Sequence, residues 1–168
     1  MKKILTLLLF ICAFSGYSQA KKKANIATEQ WRYELECAGT GTDGTYLVKV
    51  WSYSKKGNVA IEQAKKNAVH GIIFKGVAGS GRTCNSQKAL ARDSGIEDKE
   101  KDFFKMFFAD GGNYMKYVSV STDGGVHAKD RMKVGKEYKI GVIVSVMKDA
   151  LRKELEEAGI IRSLSSGF

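Results

Sequence analysis

No proline occurs in the 168 residues, and only two histidines and three cysteines do. The lack of proline excludes the stiff Pro-rich spacers that hold domains apart. No internal repeat or low-complexity stretch takes their place. His70 and His127 have no second ligand at helical or hairpin spacing, so the sequence offers no zinc site. A Gly-x-Ser-x-Gly elbow and a His-Glu-x-x-His helix are both missing. The longest apolar run, Ile4 to Phe14, is shorter than the roughly 20 residues a spanning helix needs. The sequence therefore presents no catalytic residues, no cofactor site, no metal site and no membrane-spanning helix.

What is present begins with an address. Met1, Lys2 and Lys3 carry positive charge, the apolar run follows, and Ser18-Gln19-Ala20 fits a small-x-small cleavage site. We read residues 1–20 as a signal peptide, 21–30 as a flexible basic leader and 31–168 as one domain. Ile11 stands before Cys12 where a lipobox needs a small residue, so Cys12 is not read as a lipidation site. The expected location is the periplasm, the outer-membrane surface or the exterior, where nucleic acid is not an expected partner. The formal net charge is +10, and loss of Lys2 and Lys3 lowers it by two. Such a surplus suits lipid phosphates, anionic glycans or acidic proteins, and equally serves solubility. Export also permits a bridge between Cys37 and Cys84, worth roughly 4 kcal/mol by chain-entropy reasoning. Two separate thiols, with Cys37 in the core, are the other possibility.

Hydrophobic period then divides the chain. Trp31, Tyr33, Leu35 and Cys37 alternate with Arg32, Glu34 and Glu36, which predicts a half-buried strand. After the turn-rich Gly39–Gly44 comes a second strand, Thr45 to Tyr53, antiparallel to the first. From Asn58, taken as the N-cap, Ile61, Ala64, Ala68 and Ile72 recur at helical spacing, with Glu62 and Lys66 paired at i,i+4. Gly76 and Gly79 end that helix. Residues 77–96 read as a long loop with a helical turn around Gln87 to Arg92. A second helix is expected over Glu97–Ala109, a strand over Tyr114–Thr122, a central strand over Tyr138–Val146 and a last helix from Lys148. Leu151, Leu155 and Ala158 share one face of it, and Gly159 ends it. The order predicts an α+β domain: a mainly antiparallel sheet of about four strands with two or three helices on one side.

Three features compete as sites. Phe103, Phe104, Phe107 and Phe108, with Met106, cover about 200° of helix at ~100° per residue. That is more than one buried face needs, so Phe104 or Phe108 is expected to face a partner, unless the helix is wedged between two layers. In the loop, Gly76, Gly79 and Gly81 precede Arg82, but they follow a helix and lack the Gly-Lys-Ser/Thr ending of a phosphate loop. Arg82, Lys88 and Arg92 are instead read as a basic patch or a solvated loop. His70, counted at ~100° per residue from Ile61, projects to the polar side of its helix beside Gln63 and Lys66. Asp43, Asp110 and Asp123 precede glycines as turn residues, and Glu156 and Glu157 lie on an exposed helix face. The terminal Phe168 would match the end of an outer-membrane barrel, yet such a barrel needs at least about eight strands.

The strand ending in Lys55-Lys56-Gly57, the helix with Ala60, Ala64 and Ala68, and the later run of Tyr138–Val146 into Leu151 and Leu155 form a pattern. It resembles the small domain shared by small bacterial envelope lipoproteins and the N-terminal region of the flagellar assembly protein T. The resemblance covers residues 45–76 and 136–159 and implies an envelope-associated structural or assembly module. Lipoprotein members carry a lipidated cysteine that has no counterpart here, and no binding residue carries over. The leading expectation is a non-enzymatic exported protein that binds another envelope protein or an assembly. The alternatives are a binder of anionic glycan or lipid headgroups through basic loops, and a small hydrolase with a spatially assembled site.

Overall fold

Alternating side chains form the first two strands, and their register sets the sheet's two faces. In a computed structural model that describes residues 31–81, 84–121 and 126–163, β1 (Tyr33–Thr40) pairs antiparallel with β2 (Tyr46–Ser54). Val48, Val50, Ser52 and Ser54 point inward from β2 and are buried. Lys49 and Tyr53 point the other way with Glu34 and Glu36 of β1. The expected signal peptide and leader, Arg82 and the Asp123 turn lie outside the described residues.

The helix after β2, α1 (Gly57–Phe74), packs its alanines and Val69, Ile72 and Ile73 onto the inner face. Asn58 does not cap it. Lys56 holds the N-cap position without a side-chain cap, and Asn58 Oδ1 accepts only from the amide of Val59. Glu62 pairs with Lys65 at 3.1 Å, and Lys66 is buried with its ammonium over the Tyr114 ring. Gly76 leaves the helix with a left-handed φ of 71°, where a Cβ would strike the carbonyl oxygen of Gln87.

The following loop is not a helical turn. Val77 bridges Gln87, Ser80 bridges Cys84, and the amides of Leu90 and Ala91 donate to the carbonyls of Ile72 and Ile73. Helix ends leave such carbonyls without intrahelical partners, so the loop supplies what α1 lacks. Cys37 and Cys84 are joined by a disulfide that ties this loop to β1.

The expected second helix divides at Glu100 into α2 (Ile96–Lys99) and α3 (Lys101–Phe107). Asn113–Tyr117 is a 3-10 helix, and Val118–Val120 of the expected strand forms β3. Tyr114 and Tyr117 explain the change: the helical turn buries both rings, which alternate sides of a strand would not. β4 (Arg131–Val134) forms a hairpin with β5 (Glu137–Val146) that the sequence did not reveal. β5 is central, paired with β2 on one side and with β3 and β4 on the other. Last comes α4 (Lys148–Glu157), burying Leu151 and Leu155 but not Ala158. The result is a single α+β domain with five antiparallel strands and four α-helices among the described residues. None of these helices is long and apolar enough to cross a membrane.

Candidate functional site

The side of α1 turned from the sheet is covered by α3, and this second layer overturns the reading of both His70 and the phenylalanines. Phe104 and Phe108 are 4% and 7% exposed. Phe104 packs edge-on to Phe74, while Phe108 meets Trp31, Phe107 and Tyr114. Neither ring faces outward as a partner's anchor. Of the two readings, the wedged one fits these rings: both are buried among side chains of other elements. Met106, at 71% exposure, is the large apolar side chain that the helix does present.

His70 is 3% exposed, not on a polar surface. Trp31 stacks over its imidazole with ring centroids 3.6 Å apart, and Trp31 is the only described non-glycine residue with left-handed backbone (φ 44°). Strained backbone of this kind persists where surrounding contacts over-determine it, often at a functional site. The Tyr33 hydroxyl donates to His70 Nδ1 at 2.6 Å, and His70 Nε2 donates to Glu97 Oε1 at 3.1 Å. The assignment takes the tautomer in which a neutral imidazole donates from Nε2 to a carboxylate oxygen, which can only accept; burial first, then the charge of Lys75, pushes the His70 pKa down to about 3. Burial and then Glu97 raise the Tyr33 phenol. Glu97 itself is raised, mainly by burial and then by Asp98, against opposing contributions from a Trp31 hydrogen bond and Lys75. Lys75 sits with its ammonium 3.9 Å from the centre of the Tyr33 ring.

Acid, imidazole and hydroxyl thus stand in line, as a hydrolase would order them. The hydroxyl, however, is a buried phenol held protonated, and Trp31 seals the imidazole. The chain of bonds fixes Trp31, β1 and α2 against α1. It presents no nucleophile to an open cleft.

Above this cluster lies a groove of 720 Å³. Trp31, Phe104 and Phe108 supply its apolar floor; two exposed cations (Lys101, Lys105) and two exposed acids (Asp98, Asp110) rim it, and buried Lys66 and half-buried Glu97 also line it. The basic candidates lie elsewhere. Lys88 and Arg92 are both exposed, and Arg92 borders a second pocket of 570 Å³ together with Arg152 and Arg162. His127 is exposed, with no metal-ligating partners: the described residues hold no group of three or more His, Cys, Asp or Glu side chains placed for a metal.

Sequence reasoning missed Trp31, Tyr33, His70 and Glu97 as a unit. Their available signal was an aromatic at the start of an alternating run and a histidine amid buried helix positions. No family model matches the chain, and neither curated proteins nor solved structures give a significant match.

Proposed function

We propose that the chain is a non-enzymatic, exported module that binds another protein of the cell envelope through the groove beside Trp31. The observation carrying this reading is the rim of equal and opposite charges around an aromatic floor. A small anion would favour one sign; a folded or extended polypeptide offers both, with apolar side chains for the floor. A conformationally fixed tryptophan at the centre is also a common energetic anchor of protein interfaces. The resemblance to envelope assembly modules implies the same kind of role.

A photo-crosslinking residue in place of Lys105 tests the reading in envelope fractions, with the same residue in place of exposed Met132 of β4 as control. A discrete adduct from the groove position that disappears with Trp31→Ala supports it. Absence of an adduct, or the same adducts from both positions, refutes it. Thermal melts of the Trp31→Ala variant establish that loss of the adduct is not loss of fold.

A further inference from the structure

The second pocket differs from the groove in both charge and lining. Leu90 from the loop and Ile160 after α4 are buried at its floor, and the partly buried Ile96 from α2 joins them. Arg92, Arg152 and Arg162 line it from three separate stretches of chain, accompanied by a single acid, Asp93. Asp93 is turned to Lys99 at 2.6 Å, and Arg152 is paired with Glu156 at 3.0 Å. The pocket's local charge is therefore positive, whereas the groove's is balanced. Its 570 Å³ lies within the range of about 300–1,000 Å³ that small-molecule sites occupy.

We propose that this pocket binds an anionic amphiphile, a molecule with one carboxylate head and an alkyl tail. The guanidiniums of Arg92 and Arg162 hold the head, because a planar fork of N–H donors matches a carboxylate's two oxygens. The isoleucine and leucine floor takes the tail, since burial of each methylene contributes about 0.8 kcal/mol. Neither half of the pocket explains the other: arginines over a polar floor would suit a free anion, and the floor alone would suit any apolar tail. The site is separate from the Trp31 groove and does not depend on protein binding there.

Isothermal titration of the intact protein with dodecanoate below its micelle concentration tests the proposal. Three further probes define it: dodecanol, inorganic phosphate, and phosphatidylglycerol vesicles. Saturable dodecanoate binding is expected, with each of Arg92→Gln and Arg162→Gln weakening it about tenfold, as loss of one charge-assisted contact does. Both arginines are exposed, so these variants should keep the wild-type melting curve. Dodecanol binding as tightly as dodecanoate would overturn the role of charge, and inorganic phosphate binding as tightly would overturn the role of the tail. Binding to vesicles but not to monomeric dodecanoate would replace the pocket with a membrane surface. Unchanged affinity in the Arg92→Gln, Arg162→Gln double variant would move the site elsewhere.

Discussion

The two faces of the sheet bury side chains by different means. On the inner face α1 lies against Val48, Val50, Val144 and Val146, and small residues allow the approach: a Cβ on Gly71 would lie 2.0 Å from Leu35 Cδ1. On the outer face Trp51 is only 8% exposed. Its ring lies over Gly141 of β5, and the ammonium groups of Lys49 and Lys139 stand 5.4 and 5.2 Å from its centre. Lys49 continues to buried Asp130 at 2.8 Å, while Lys139 and Tyr53 meet Glu34. Arg32 covers Tyr53 in turn. One face excludes water with shape, the other with lysine stems whose charges remain at the edge.

The comparison breaks first at Lys49. Lys49→Met leaves Asp130 buried without its cation, and we expect a loss of about 3–5 kcal/mol in chemical denaturation. Adding Asp130→Asn should restore much of it; no recovery would mean that the pair is incidental to the outer face. On the inner face, Gly71→Ala forces Leu35 and Tyr33 aside, an overpacking effect of about 1–3 kcal/mol. An unchanged denaturation midpoint would show that β1 yields freely.

The cluster beneath α3 adds a pH dependence. The His70 pKa is lowered from 6.5 in the unfolded chain to about 3 when folded. Below pH 6.5 the unfolded state therefore binds a proton that the folded state refuses, and stability falls with pH through that window. Between pH 7 and about pH 5 this amounts to about 2 kcal/mol, and His70→Gln should remove that slope. An equal slope in the variant would assign the dependence to other groups.

Smaller effects belong to the outer face. Gly141→Ala puts a methyl 2.9–3.1 Å from the Trp51 ring, and because the ring can tilt outward we expect a loss near ~1 kcal/mol. Indole fluorescence, shifted to the red as the ring meets water, reports the tilt. Lys139→Met should cost less than about 1 kcal/mol, since its ion pair with Glu34 is solvent-facing. High salt should reduce that cost further.

The contrast also explains what the sequence revealed. Alternation in Tyr138–Val146 and the alanine spacing of α1 identified the inner face, since each is a period within one element. The outer face depends on partners far apart in the chain, as Lys49 and Asp130 are, and no local period encodes that distance. His70 was misplaced for a related reason: angular counting knows one buried face, and α1 has the sheet on one side and α3 on the other. Arg92 was legible as a basic loop residue, but its convergence with Arg152 and Arg162 arises only when α4 docks. The disulfide stood as one of two possibilities because thiol separation in space is invisible in sequence.

The central position of β5 has a consequence for how the chain comes to be folded. Its residues are made after those of β2, β3 and β4, yet all three pair with it. Until residue 146 emerges, β2 lacks one neighbour, β3 and β4 have no partner strand, and α1 has only part of a sheet to cover. The nascent chain therefore cannot complete its core before β5 is made, and long-range pairing of this kind is slow. Moving β5 to the front by circular permutation would let β2, β3 and β4 each pair with it as they are made.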